Sequence, residues 1–142
     1  MANAVQEIEI KATPKQCYDV VWAFENYPEF IGDLKEVEIA NKKGNACEVT
    51  YTIKVIKKIT YTLKMKGTPG KKVEWSFVKG DFMKDNFGHW EFKEIKKGVT
   101  KATYDVSINF GILVPGSVSK MLVGKNLPAM LKAFKERIEA SV

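Results

Sequence analysis

Residues 80–92, GDFMKDNFGHWEF, carry four aromatic rings, two glycines and the only histidine of the chain. Three functions fit such a segment: a catalytic site with His89 as base, a platform on which nucleic-acid bases stack, or one wall of a pocket. Side chains on a β-strand alternate between its two faces. That alternation places on one face Phe82, Gly88, Trp90 and Phe92, and on the other Asp85, Phe87, His89, Glu91 and Lys93. We therefore predict a strand with a buried aromatic face, and His89 as a surface residue rather than a base.

Other arrangements that could do chemistry fail on residue types and spacing. One histidine and the two cysteines, Cys17 and Cys47, supply no metal-ligand cluster. The segment MKGTPGKK lacks the first glycine of a phosphate-binding loop, where Met65 stands, and it has Lys72 where serine or threonine is needed. A cysteine nucleophile needs a base, and no local argument places His89 beside either cysteine. We predict no metal site, no cofactor and no catalytic residue.

The charge of the chain limits its partners. The formal net charge is +6 over 142 residues, and lysine carries nearly all of the positive charge because Arg137 is the only arginine. Proteins that read nucleic acids favour arginine for its forked, stacking guanidinium, so we expect no specific nucleic-acid partner. The first residues, MANAVQEIEIKA, lack the basic and apolar regions of a signal peptide. We expect a cytoplasmic protein with reduced thiols, and peripheral contact with a membrane stays open.

The chain begins with a strand and two short helices. Residues 4–11 alternate as a first strand. Thr13 followed by Pro14 predicts a helix start, with the threonine as N-cap and the proline at the first helical position. A second short helical turn follows at 27–30, and Pro28 is expected to open it. These elements bring the chain back toward the sheet.

A long run of alternating residues follows Gly32, and a helix ends the chain. The period stays at two for about eighty residues, which with short turns predicts six antiparallel strands in a meander. After Pro115 the apolar residues recur at steps of three and four, which predicts a helix of about twenty residues. Pro128 lies inside that helix and would clash with the carbonyl of Gly124, so we expect a kink.

The turn at 96–98 fixes how the last two strands pair. It places Phe92 beside Ala102 and Trp90 beside Tyr104. Gly88 then lies opposite Val106, where the missing side chain predicts a bend or a bulge.

The inner face of the predicted sheet carries more bulky side chains than one helix can cover. They form either a solid core or the wall of an apolar cavity that contains a few phenol hydroxyls, and periodicity alone leaves both open. The candidate ligand-binding residues are Tyr51, Ile53, Tyr61, Leu63, Met65, Trp75, Phe77, Trp90, Phe92, Tyr104, Val106 and Ile108 on the strands, with Met121, Leu122, Met130, Leu131 and Phe134 on the last helix.

Three segments together resemble a known superfamily. They are ATPKQCYDVVWAFENYPEFIGDLKEVEI near the start, GDFMKDNFGHWEF, and ATYDVSINF before the final helix. This combination resembles the START-like superfamily of polyketide cyclases/dehydrases and lipid-transport proteins, and within it looks closest to the coenzyme Q-binding protein family. The resemblance covers nearly the whole chain. It implies one domain, residues 1–142, with an α+β helix-grip fold in which a curved antiparallel sheet of about seven strands wraps around a long C-terminal helix.

The function that we expect from the residues and the resemblance is binding and carriage of a hydrophobic small molecule such as a quinone, a lipid or a polyketide-like compound. Residues 111–116, GILVPG, are either a gate that could contact a membrane or an ordinary loop. One alternative is an enzyme of the aromatic cyclase or dehydratase type. The other is a basic adaptor that binds ribosomal RNA or anionic membrane through lysines, namely Lys54, Lys57, Lys58, Lys64, Lys66, Lys71 and Lys72.

Overall fold

A computed structural model describes residues 2–54, 57–111 and 114–142. Seven strands follow the predicted order: β1 (Ala2–Ile10), β2 (Leu34–Lys43), β3 (Ala46–Lys54), β4 (Lys58–Thr68), β5 (Lys72–Gly80), β6 (Met83–Lys96) and β7 (Val99–Phe110). The helical segments are α1 (Pro14–Trp22), a 3-10 helix (Phe24–Glu29), α2 (Gly116–Met121), a π-helical turn (Leu122–Asn126) and α3 (Leu127–Ala140).

All seven strands belong to one antiparallel sheet. Its order is β1-β7-β6-β5-β4-β3-β2, so β2 to β7 form a meander and β1 adds to the far side of β7. The C-terminal helix α3 packs on the inner face, where the ring of Phe134 lies 5.3 Å from that of Trp90 on β6. The predicted α+β helix-grip arrangement is confirmed. None of the described helices is long and apolar enough to cross a membrane.

The start of α1 follows the predicted signal. Thr13 accepts a hydrogen bond from the Gln16 backbone N–H, and the Gln16 side chain accepts from the Thr13 backbone in return, which makes a complete capping box. Pro14 takes the first turn, where its missing N–H costs nothing. The second short helix differs from expectation. It begins at Phe24, and Pro28 lies inside it rather than opening it.

The C-terminal helix is interrupted where a proline was expected to disturb it. Pro128 has no N–H to bond the carbonyl of Gly124. The helix takes a π-helical turn over Leu122–Asn126, directly before α3, which then starts afresh at Leu127 with Pro128 in its first turn. The single helix of about twenty residues is therefore two α-helices joined by this wider turn, in which hydrogen bonds skip one more residue than in an α-helix.

The pairing of β6 with β7 is the predicted one, but the role of Gly88 is different. Phe92 faces Ala102, Trp90 faces Tyr104, and Gly88 faces Val106. The register shifts of this pair lie at 83–85 and 94–96, so of the two predicted alternatives the bulge at Gly88 was wrong, and the bend stays a prediction. A Cβ at this position would lie 2.1 Å from the Asp105 carbonyl oxygen and 2.9 Å from the Trp75 ring. The glycine is needed because a neighbouring indole and backbone occupy that space.

The packed core occupies the part of the inner face that α1 and α3 cover. Its fully buried members include Ile10, Val21, Phe24, Val49, Val73, Leu131, Phe134 and Ile138. Thr100, also fully buried, donates its hydroxyl to the Ala12 carbonyl oxygen at 2.7 Å and so ties β7 to the loop before α1. At the surface, Arg137 of α3 binds Glu29 of the 3-10 helix at 2.8 Å. These contacts hold α3 over one half of the sheet.

Gly88→Ala should destabilise the fold, because its Cβ overlaps with backbone that cannot move independently. We expect a loss of about 1–3 kcal/mol in the free energy of unfolding, measured by urea denaturation. Gly32→Ala is the matched control, since a Cβ there meets no atom within 4 Å and the backbone does not have positive φ. Equal stability of the two variants would contradict this account of Gly88.

Candidate functional site

A cavity of about 470 Å³ lies between the uncovered half of the inner face, the segment after the 3-10 helix, and the start of α3. Its wall consists mainly of aromatic and aliphatic side chains from six strands and from α3. The inner face of the sheet thus borders both a packed core and an open cavity, which lie side by side. Periodicity alone left open whether these side chains form a solid core or a cavity wall, and the structure contains both.

Most of the predicted ligand-binding residues line this cavity. The twelve that do are Tyr51, Ile53, Tyr61, Leu63, Met65, Trp75, Trp90, Tyr104, Val106, Ile108, Met130 and Phe134. Their role in binding a ligand stays a prediction, but the fold brings them together. Residues on five strands and one helix meet here because alternate positions of each strand point inward.

The remaining predicted residues lie elsewhere. Phe92 and Leu131 belong to the packed core, where Phe92 stacks on the back of the Trp90 ring at 5.8 Å. Phe77 is partly buried against that core, and Met121 is a partly buried residue of α2; neither lines the cavity. The side chain of Leu122 lies outside the described part of the chain, as do Ile112 and Leu113 of the predicted gate. Of that gate, Val114 and Pro115 line the cavity.

Several wall residues were not among the predicted ligand-binding residues. They are Tyr27, Ile31, Asp33, Leu34, Lys57, Ile59, Asp81, Phe82, Met83, Asn86, Phe110, Asn126 and Leu127, besides the two gate residues. Asn86 could have been found, because strict alternation puts it on the same face as Gly88 and Trp90. Asp33 and Asn126 could not have been found in this way. Their side chains form a hydrogen bond of 2.7 Å, but 93 residues separate them in the sequence.

Aromatic rings make a continuous lining. Trp90 lies 4.9 Å from Tyr104, which in turn lies 5.4 Å from Trp75, measured between ring centroids. On the opposite side Tyr51 stacks on Tyr61 at 5.3 Å. Rings at these separations and tilts attract one another beyond their area of contact. The wall is therefore apolar, and its rings stabilise one another by contact.

The phenol hydroxyls are the titratable groups deepest in the wall. Burial raises the pKa of Tyr61 to about 12, and it raises those of Tyr27, Tyr51 and Tyr104 well above the ordinary value. All of them are neutral at physiological pH. Tyr27 donates to the Val21 carbonyl oxygen, and Tyr51 points at the Met65 sulfur at 3.8 Å. These hydroxyls can donate hydrogen bonds but cannot serve as bases near neutral pH.

Asn86 is a buried polar side chain of the wall. It is 5% exposed, and its Oδ1 accepts a hydrogen bond from Nε1 of Trp75 at 3.0 Å. Its Nδ2 lies 4.0 Å from the Met83 sulfur, which is a weak acceptor. The amide is thus anchored through its oxygen.

Charged residues occur only at the rim among the described residues that line the cavity. Asp33, Lys57 and Asp81 are exposed there. Nζ of Lys57 lies 4.1 Å from the centre of the Phe82 ring. Phe82 has a φ of 59°, a left-handed conformation that is strained for a bulky residue. The Phe82 carbonyl oxygen accepts from the Gly111 backbone N–H at 2.9 Å, which holds the ring at the rim.

Other residues considered for chemistry lie away from the cavity. His89 sits on the outer face between Glu74 and Asp105 of the neighbouring strands. Cys17 and Cys47 are buried and free; burial raises the pKa of the Cys17 thiol to about 11. Such a thiol is unreactive. Among the described residues, no group of three histidine, cysteine, aspartate or glutamate side chains could hold a metal ion.

Comparisons with known proteins give a family and a fold. The family model described as polyketide cyclase / dehydrase and lipid transport matches residues 10–135. A START superfamily protein from Mycobacterium smegmatis superposes with a TM-score of 0.86 at 16% identity, over 99% of both chains. TTHA0849 from Thermus thermophilus gives 0.85 at 18% identity, also over 99% of both chains. Zhui aromatase/cyclase from Streptomyces sp. R1128 gives 0.83 at 17% identity, over 97% of this chain and 93% of that one.

These similarities confirm the START-like resemblance. The identities are low, so the solved structures establish a shared fold and no more. No curated protein matches the sequence. The closer resemblance to coenzyme Q-binding proteins stays a prediction.

The buried phenols should make the protein sensitive to alkali. In the unfolded chain a tyrosine loses its proton near pH 10, while Tyr61 in the fold holds it to about 12. Between these values the folded state binds more protons, so stability is intact below pH 10 and falls as the pH rises. We expect the ultraviolet absorbance of phenolate to appear together with the loss of near-ultraviolet circular dichroism. Phenolate that forms near pH 10 in a fully folded protein would contradict the burial of these hydroxyls.

Proposed function

The chain belongs to the polyketide cyclase / dehydrase and lipid transport family, and from this premise we propose that it binds and carries a hydrophobic small molecule in the cavity between the curved sheet and the C-terminal helix. The candidate ligands are a quinone, including one of the coenzyme Q type, a lipid, and a polyketide-like compound.

The observation that carries this proposal is the apolar cavity itself. Protein interiors are packed as densely as organic crystals, and voids larger than a water molecule are few. A space of about 470 Å³ lies within the range of small-molecule sites. Apolar rings and methyl groups that face such a space gain free energy when a ligand covers them, at about 0.8 kcal/mol per buried methylene of the ligand. An aliphatic tail could therefore bind with few polar contacts.

The polar groups of the wall favour carriage over turnover. A cyclase or dehydratase needs an acid or base beside its substrate. Within the described part of the wall, the interior titratable groups are phenols with raised pKa values, and the carboxylates Asp33 and Asp81 stand at the rim. Structural similarity to an aromatase/cyclase at 17% identity concerns the fold alone. We accordingly place the enzyme alternative second.

The adaptor alternative is weakened by the carboxylates beside the lysines. On the outer face Lys64 lies opposite Glu48, and Lys66 lies opposite Glu74. Lys72 also pairs with Glu74 at 3.1 Å. Interleaved charges of both signs cancel over short distances, and a polyanion binds best to a continuous positive surface. The lysine face has the pattern of a solvated surface.

The direct test is whether a ligand co-purifies with the protein. We expect native mass spectrometry of protein purified without detergent to show a bound apolar molecule, and solvent extraction to identify its class. A protein that is empty and also fails to bind quinones, lipids and polyketides would overturn the carrier function.

Filling the cavity should abolish binding without unfolding the protein. Ile108→Trp places an indole in the space, and we expect it to weaken binding of the neutral fluorescent probe N-phenyl-1-naphthylamine by about tenfold or more. Ser107→Trp is the matched control, because the neighbouring position points to the outer face opposite Phe87. Unchanged probe binding in Ile108→Trp would show that the probe binds elsewhere, and an equal loss in both variants would show that the effect is not due to filling the cavity.

A further inference from the structure

Asn86 differs from the other buried polar residues of the described chain. Thr52 and Thr62 each pair with a threonine on the facing strand, and Thr100 donates to a backbone carbonyl. Asn86 alone among these four lines the cavity. Its oxygen is bonded, whereas its amide nitrogen has only the Met83 sulfur at 4.0 Å. A buried N–H without a good acceptor is costly, so this group marks a place where an acceptor from outside the protein would fit.

Trp75 determines which way the amide points. An indole nitrogen can only donate, so it must face the amide oxygen, and the two amide hydrogens then lie on the other side. The indole reaches this position because Gly88 leaves room for its ring, with Cζ2 only 2.9 Å from where a Cβ would stand. Trp75, Asn86 and Gly88 thus form one unit that presents an N–H donor of fixed direction.

The surroundings of this donor define what it can bind. Tyr104 packs on Trp75 at 5.4 Å, and its hydroxyl and that of Tyr61 are also protonated donors in the wall. The charged groups among the described wall residues are exposed at the rim. A carboxylate drawn into the interior would lose its hydration without gaining a cation, which is strongly unfavourable. A neutral oxygen acceptor, such as a ketone or quinone carbonyl, meets donors and incurs no such penalty.

We propose that Asn86, oriented by Trp75, is a specificity-determining hydrogen-bond donor that selects ligands with a neutral carbonyl group over hydrocarbons and carboxylates of the same shape. This inference rests on the proposed carrier function and adds the chemical class of the ligand's polar end. The apolar remainder of the ligand lies against the aromatic wall.

Three probes that share one tricyclic ring system test it: fluorenone, fluorene, and fluorene-9-carboxylate. We expect wild-type protein to bind fluorenone and fluorene, and to bind the carboxylate at least about tenfold more weakly than fluorenone. Asn86→Leu should lower the affinity for fluorenone about five- to tenfold and leave that for fluorene within about twofold. An equal loss for both probes, or no loss for either, would overturn the selectivity of Asn86.

The infrared stretching frequency of the carbonyl group of bound fluorenone is a second readout. A purely structural role of Asn86 would not shift it. In wild-type protein we expect it at lower wavenumber than in hexane, because a hydrogen bond weakens the C=O bond. The shift should persist in the double variant Tyr61→Phe/Tyr104→Phe, because Asn86 remains as the donor. This variant tests the proposal even if Asn86→Leu fails to fold. Loss of the shift in the tyrosine variant would assign the donor to a phenol and overturn the proposal. Failure of wild-type protein to bind fluorenone would also overturn the proposal for Asn86, whereas the carrier function falls only if the protein is empty and binds none of the quinones, lipids and polyketides.

Discussion

The structure depends on a mismatch between one curved sheet and the helices that cover it. Seven strands present a long apolar inner face, but α1 and α3 pack on only part of it. Where α3 contacts the strands, Phe134, Leu131 and Ile138 form a dense core. Beyond that contact the sheet curves away, and inward-facing rings such as Tyr61, Trp75 and Tyr104 border the cavity instead. The cavity follows from this geometry, because the described residues fill the concave face only in part.

The same curvature explains why the cavity wall can be both apolar and specific. The strand β6 passes from the core to the cavity, with Phe92 and Trp90 packed at one end and Asn86 at the other. Between them Gly88 lets the Trp75 indole approach the backbone and reach the asparagine. One strand therefore contributes to stability and to recognition through residues on a single face, spaced two apart. The segment GDFMKDNFGHWEF is one wall of a pocket, and its histidine lies on the outer face of the sheet.

Much of the fold and part of the site could be predicted because they depend on local patterns. Alternation identified the strands and the inward face, and the turn at 96–98 fixed the register of Trp90 with Tyr104. Contacts between distant segments were beyond that reasoning. No local sequence pattern indicates that Asn126 contacts Asp33, or that Trp75 from another strand occupies the space at Gly88. The π-helical turn before Pro128 was also missed, since a proline predicts a disturbance but not the form that it takes.

The rim of the cavity is built differently from its interior. Inside, rings pack against one another and buried hydroxyls hold their protons. At the rim the chain turns sharply, with Phe82 in a left-handed conformation and the π-helical turn ending at Asn126. A φ of 59° is unfavourable for phenylalanine, so contacts with neighbouring residues must hold Phe82 in this conformation. Lys57 lies over the Phe82 ring, and the Gly111 N–H donates to the Phe82 carbonyl oxygen, so the rim is held together by segments that are distant in the sequence.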